Sequence, residues 1–317
     1  MSGAGATAAG LSGSAGPQAP QRADFGRRAF LQACALDVQV RKPGNVSIVS
    51  PGHGMQAAHF QASAAAAAAA IASPGSPVGE RIEAAVRASW QATACNTNLG
   101  IVLLCAPLLA AFERCDGPVG PQALRAALEE VLQALDIDDA RGAYRAIALA
   151  RPGGLGRAPQ QDVAQAPTVT LREAMALAAH RDRIAWQYLH AFADVFDLGL
   201  PAFLAAREAA AAQGLAADAA AGRALQAAFL EFLAALPDSH IVRKHGDAVA
   251  QCVIAQAEQW RARARTGEVL DANGDFARWD EDLKAAGVNP GTTADLCVAV
   301  ALVARLTGSQ AATSRFY

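Results

Sequence analysis

The chain has 317 residues, of which 53% are hydrophobic and 18% charged, with a formal net charge of -2 at pH 7. That is enough apolar material for one large core or two modest ones. A near-neutral balance gives no long-range electrostatic reason to expect nucleic acid as a partner.

Residues 1–24 are rich in Gly, Ala, Ser, Pro and Gln, without the basic start and Leu/Val-rich centre of a secretory signal, and read as a disordered tail. Phe25 to Val40 then places Phe25, Ala29, Ala33, Leu36 and Val40 at helical spacing. The pattern ends at Arg41-Lys42-Pro43-Gly44-Asn45, where Pro43 lacks a backbone donor and Gly44 permits a sharp turn. Two cationic groups are thereby fixed beside the turn, either as a solvated helix end or as a phosphate contact. Val46 to Val49 reads as a short extended piece, followed by a loop carrying His53.

The helix expected from His59 to Ala72 is mostly alanine, which propagates helix well but offers little apolar area per residue, so it suits close packing. After the breaker Ser73-Pro74-Gly75-Ser76-Pro77, a helix from Val78 to about Ala92 leads to the polar cluster Thr93 to Asn98. That cluster abuts the most apolar segment, Leu99 to Pro107. Such a join reads as a buried helix entered through its N-terminus, with Asn96 and Asn98 able to satisfy free backbone donors. The same helix end is a ready anion site, and a plain capped core helix is the other reading. Ile101 to Phe112 is too short to cross a bilayer, and the alanine run Ala62 to Ala72 is short and weakly hydrophobic, so no membrane partner is expected.

Leu124 to Leu135 and Ala140 to Ala150 are the next helical patterns, the second started by Asp138 or Asp139 and stopped by Arg151-Pro152-Gly153-Gly154-Leu155-Gly156. These glycines have neither the spacing of a P-loop nor the strand context of a dinucleotide site. Asp162 follows, then a long helix is expected from Leu171 to Phe196, opened by a Thr170/Glu173 capping box. Its polar stripe His180, Arg183, Gln187, His190 and Asp194 is either a solvated face or a pocket lining.

Two alanine-rich helices, Ala202 to Ala212 and Ala217 to Leu236, precede Pro237-Asp238-Ser239-His240, which opens a helix running to Ala257 and beyond. Arg243, Lys244 and His245 then fall near a helix N-terminus, where the dipole disfavours cations, so an anion or nearby carboxylates are expected. Asp271-Ala272-Asn273-Gly274-Asp275 resembles the start of a calcium loop but has Gly at the wrong position and no closing Glu, and calcium is not expected. After a short helix from Phe276 to Ala286, Asn289-Pro290-Gly291-Thr292-Thr293-Ala294-Asp295 begins a final apolar helix to Leu306. Thr292 and Asp295 have the spacing of a cap and a first-turn acid.

The periodicity is helical throughout, so the fold class is all-α: a single multi-helical domain of roughly twelve helices over 25–310, with tails at 1–24 and 311–317. The six cysteines form no CxxC pair and read as buried free thiols of a cytoplasmic protein.

Taken in order, Arg41 to Val46, Asn96 to Gly100, Pro152 to Gly156, Thr168 to Met175, Asp238 to Gly246 and Asn289 to Leu296 resemble the triphosphoribosyl-dephospho-CoA synthase family over about residues 25–307. The resemblance implies an all-helical enzyme that uses Mg-ATP. It joins the ribose C1 of ATP to the 2'-hydroxyl of 3'-dephospho-CoA and releases adenine. Two positions depart from the usual pattern: Gly54 replaces an acidic residue before Met55, and Asn96-Thr97-Asn98-Leu99-Gly100 stands where the citrate-type branch has Thr-His-Lys. Transfer to a different cofactor precursor, a kinase reaction, and a non-catalytic nucleotide-binding regulator therefore stay open.

The chemistry implied by the resemblance asks for phosphate contacts, Mg2+ ligands and a base. Lys42, Arg243 and Lys244 are the phosphate candidates, with Asn45, Asn96, Asn98, Gly153, Gly154, Thr292 and Thr293 as further ATP-binding residues. Asp162, Asp238 and Asp295 are the Mg2+ candidates; Asp162 or Asp238 is also a candidate base, with His240 or His245 as the alternative. The clusters are expected to meet in one pocket that takes small-molecule substrates, and a homodimer is an allowed assembly.

Overall fold

The computed structural model describes residues 19–308. Helices α1 (Ala19–Gln39), α2 (Ala57–Ile71), α3 (Val78–Thr93), α4 (Leu99–Arg114), α5 (Pro121–Gln133) and α6 (Ile137–Ala150) form the first half. The second half contains α7 (Leu171–Ala178), α8 (Arg183–Leu189), α9 (Leu200–Ala212), α10 (Ala217–Ala235), α11 (Ser239–His245), α12 (Asp247–Arg265), α13 (Gly274–Ala285) and α14 (Gly291–Gly308). Among the described residues the only extended pairing is two isolated bridges, Ser47 with Ser50 and Gly52 with Met55. The all-α expectation holds. Residues 19–24, expected in the tail, are the first turns of α1, while 1–18 and the expected tail at 311–317 lie outside the described residues.

Two helices make the centre. Every residue of α4 from Leu99 to Phe112 is buried, and α14 buries all but its ends and a few positions, packing on α1, α4, α9 and α10. By length and composition α14 could cross a membrane, and two bent helix pairs would also qualify, but 72% of its apolar window is already covered inside the domain. Burial on all sides explains why both sequences are apolar nearly all round. The N-termini of these two helices come together at one end of the core.

Around them, small residues set the spacing. α2 buries Ser63, Ala64, Ala67 and Ala68 and lies along α3. α3 crosses α6 at Gly79 and Gly142, where a Cβ on Gly142 would sit 2.4 Å from the Gly79 carbonyl oxygen. The Gly79 N–H donates to Asp139 Oδ1 at 2.6 Å, so the close approach also satisfies a buried carboxylate.

The expected helix Leu171 to Phe196 is not continuous. Asp182 caps α8 by accepting from the Ile184 and Ala185 amides, which offers the backbone an alternative to continuing α7. α8 ends before Ala191 and Phe192, both at positive φ, and a π-helical segment, Asp194–Gly199, leads into α9. Most of the polar stripe folds onto itself: Arg183 Nε and Nη2 bind the two Asp194 oxygens at 2.6 and 2.8 Å, and Gln187 donates to Asp194 Oδ2. The helix opened by Asp238 is likewise two, broken at Gly246 with φ +83°. Arg243, Lys244 and His245 are therefore the last turn of α11, not a first turn. The dipole there favours cations, and the expected electrostatic need for an anion at that helix end disappears.

The Gly79–Gly142 crossing yields a contrast. Gly142→Ala is expected to destabilise the protein by about 1–3 kcal/mol through overpacking. Gly222→Ala, whose added Cβ meets only Val40 at 3.7 Å within α10, is expected to be neutral or stabilising by about 0.5–1 kcal/mol. Denaturant midpoints of the two variants check this.

Candidate active site

A cavity of about 660 Å3 opens where the two central helices begin. All six motif stretches contribute to it: Asn45, Asn96 to Gly100, Pro152 to Gly156, Leu171 with Ala174 and Met175, His240 with Arg243, and Asn289 with Gly291 and Thr292. The loop between α6 and α7 forms one side through Pro152 to Val163. Apolar wall comes from Phe60, Leu103, Ile147, Leu171, Met175 and Ile184, among others. The cavity thus combines a charged region with apolar surface suited to an organic ligand.

Asp295 lies in the second turn of α14, because the helix already begins at Gly291 and takes in Thr292, so it is not the first-turn acid that its spacing from Thr292 suggested; it faces Gly100 of α4. A Cβ at Gly100 would lie 2.0 Å from Asp295 Oδ2, so glycine is what leaves room for the carboxylate. Burial pushes the Asp295 carboxyl well above its ordinary value, Asp37, Asp238 and Asp182 push it further, and Arg243 opposes the shift. Asp37 also lines the cavity, and burial raises it while Lys42 pulls it back down. Lys42 Nζ sits 3.1 Å from Asp37 Oδ1 but hydrogen-bonds the Asp37 carbonyl instead, leaving that carboxylate oxygen without a directional partner among the described residues.

Arg243 supplies positive charge at the opposite rim. Its Nε donates to the Gly153 carbonyl at 3.0 Å and its Nη1 lies 3.5 Å from Asp182 Oδ2, so it ties the α6–α7 loop to the cap of α8. Asp162 organises the same loop by accepting from the Ala158 and Ala164 amides at 2.7 and 2.9 Å, which hold its carboxyl below the usual range. The Tyr144 hydroxyl donates to the Gln161 carbonyl at 2.7 Å. His240 packs against Gly291; burial, with Arg243, Lys244, His53 and His245 nearby, pulls its imidazole down to about 4, so it is neutral at pH 7.

Of the residues singled out in the sequence, Asn45, Asn96, Asn98, Gly153, Gly154, Asp162, His240, Arg243, Thr292 and Asp295 line the cavity. Lys42, Asp238, Lys244, His245 and Thr293 are not among its lining residues. Lys42 is fully buried against Asp37, and Arg41 pairs with the buried Asp280 at 3.2 Å, so neither is a solvated helix end or a free phosphate contact. Asp238 has no oxygen to spare: Oδ1 accepts from the His240 and Ile241 amides, and Oδ2 from the Thr293 N–H and hydroxyl at 2.7 and 2.8 Å. It caps α11 and fastens it to α14. Lys244 is exposed beside Gly153. His245 Nε2 bonds the Gly287 carbonyl at 3.0 Å. Asp162, Asp238 and Asp295 are not assembled as one ligand set, and among the described residues no group of three His, Cys, Asp or Glu is placed to hold a metal ion.

Asp37, Arg181, Asp182 and Asn289 also line the cavity and were not chosen from sequence. For Asp37 a signal existed: a carboxylate between Leu36 and Val38 on a buried helix needs a partner, and Lys42 is five residues on. Asp182 and Arg181 were hidden inside the helix expected to continue.

The chain is a member of a transferase family: the family described as CitG, ATP:dephospho-CoA triphosphoribosyl transferase, matches residues 24–314. It belongs to the ATP:dephospho-CoA triphosphoribosyl transferases at the level of family. The crystal structure of a candidate triphosphoribosyl-dephospho-CoA synthase from Archaeoglobus fulgidus shares the fold, with a TM-score of 0.60 and 24% identity over 78% of this chain and 98% of that one. No curated protein matches the chain.

Two stability outcomes follow. Asp238→Ala is expected to cost about 2–3 kcal/mol, since a cap and an interhelical charge-assisted tie are lost together. Asp295 binds its proton more tightly in the folded chain, so its contribution is complete below the ordinary value of 3.8 and is lost as pH rises through the raised folded value. Asp295→Asn is therefore expected to be more stable than the parent at pH 7 without ligand, with the gain fading as pH falls toward 3.8. Thermal unfolding across pH measures both.

Proposed function

We propose that this protein transfers the triphosphoribosyl group of ATP to the 2'-hydroxyl of 3'-dephospho-CoA and releases adenine. The observation that supports the reading is the convergence, in one cavity, of the family's motif stretches, which bring Asp295 and Arg243, with two further charged residues, Asp37 and Arg181.

The Asp37 carboxylate helps to raise Asp295, a neighbourhood of like charge that favours a bound cation, and carboxylate oxygens suit Mg2+, which keeps several waters and takes the rest of its ligands from phosphates. Asp295 and Asp37 would hold it. When bound, Mg2+ neutralises triphosphate charge. Arg243 is placed to exchange the Gly153 carbonyl for a phosphate oxygen, a stronger charge-assisted partner.

In the transfer, the acceptor 2'-oxygen bonds to C1' of the ATP ribose as the C1'–N9 bond breaks. The bonding pair leaves with adenine, and all three phosphates stay on the ribose. The neutral His240 imidazole receives the hydroxyl proton, and adenine takes a proton from solvent. Contact of Arg243 with phosphate would remove part of what holds His240 down, making it a better base once substrate is present. The apolar wall shields the forming bond from water.

Incubation of the protein with Mg-ATP and dephospho-CoA is expected to release adenine and to give a product heavier by a triphosphoribosyl group. ADP with a phosphate increment would assign a kinase instead, and ATP binding without turnover on any acceptor would assign a regulator. Arg243→Ala should raise the KM for ATP about 10- to 100-fold, the equivalent of about 1.5–3 kcal/mol for a hydrogen bond to a charged group.

A further inference from the structure

One corner of the cavity is polar but uncharged. Asn45 leaves the α1–α2 loop, Asn289 precedes α14, and Asn45 Nδ2 donates to Asn289 Oδ1 at 2.9 Å. Both line the cavity, and Asn45 is only 5% exposed. Each amide carries an acceptor oxygen and two N–H donors, so this single bond leaves Asn45 Oδ1 and the Asn289 NH2 group unused. Neither has a partner among the described residues.

The corner is rigidly built. The Gly44 N–H donates to Asp280 Oδ1 at 2.8 Å, and Asp280 also binds Arg41 and Lys284. Gly44, at φ +83°, packs so close to Pro290 and Val288 that an added Cβ would meet them at 2.8 and 2.9 Å. The two loops that carry the amides are locked together, and an acceptor and a donor are held side by side before any ligand arrives. Preorganised neutral amides discriminate strongly, because a ligand that fails to match them buries unpaired polar groups.

A phosphate matches the pair poorly, since it could accept from the Asn289 NH2 group but would set an acceptor against Asn45 Oδ1. A 6-aminopurine fits, offering a donor from its amino group and an acceptor at the adjoining ring nitrogen. We infer that the Asn45–Asn289 pair reads the Watson–Crick edge of the adenine of ATP, Asn45 Oδ1 accepting from the 6-amino group and Asn289 Nδ2 donating to N1. This rests on the proposed ATP-dependent reaction, but its test does not need turnover.

Inosine triphosphate reverses both groups, with a carbonyl at position 6 and a proton on N1. Calorimetric titration of the full chain with Mg-ATP and with Mg-ITP is expected to show ITP binding at least about 10-fold more weakly. Asn289→Asp, nearly isosteric, should compress that ratio toward unity or invert it, because the new carboxylate accepts from the N1 proton of ITP. Equal binding of ATP and ITP to the unaltered protein overturns the inference without any variant. So does an Asn289→Asp protein that is folded by circular dichroism and loses affinity for both nucleotides equally, which assigns the pair a purely structural role. Adenine release with no ATP preference would leave the proposed reaction standing and remove this reading; ATP preference without adenine release would do the reverse.

Discussion

The contact between Gly100 and Asp295 is the constraint on which the rest depends. Two helices that are apolar nearly all round can pack side by side in a core, but their first turns carry free amides and cannot be sealed in the same way. Here the first turn of α4 meets the second turn of α14 at a glycine, and the room it leaves is filled by a carboxylate. The domain therefore has a polar void at the head of its most buried layer, held open by the helices that make the core.

The surrounding structure manages charge in the same low-dielectric region. Lys42 is committed to Asp37, Arg41 and Lys284 to Asp280, and Arg81 to Glu113 by paired hydrogen bonds of 2.9 and 2.7 Å. Buried pairs of this kind add little net stability, but removing one partner leaves an uncompensated charge. They serve here to fix loops. The Asp280 group pins the turn at Gly44 against α13, and Asp238 pins α11 to α14. Among the described residues, Asp37 Oδ1 in the cavity is left without a hydrogen-bond partner, and a ligand can complete it.

Much of this was legible from sequence. Helical periodicity gave the fold class, and the apolar run after Asn98 located a buried helix end. The polar clusters proved to share one cavity although they are far apart in the chain, because each marks a helix end and the helix ends are gathered. Roles of individual residues were less legible. Lys42 and Asp238 looked available, since spacing shows which residues are charged but not whether a partner such as Asp37 or Thr293 already engages them. The Arg243-Lys244-His245 run was misread because Gly246 splits a pattern that is otherwise continuous, and one residue at positive φ turned an assumed first turn into a last one. Asp182 was missed for the same reason, since its capping competes with a helix that periodicity alone would prolong.

The position of α14 in the chain has a consequence for biosynthesis. It is made after every other helix of the described domain, yet it supplies the central packing surface for α1, α4, α9 and α10 and the anchor that seats α11. Contacts between such distant segments form late, since the loop-closure entropy must be overcome before they reward the chain. A nascent or truncated chain without α14 lacks that packing surface and the side of the cavity that carries Asp295. Incomplete products therefore present exposed apolar helices, by which a cell's chaperones and proteases recognise an unfinished protein.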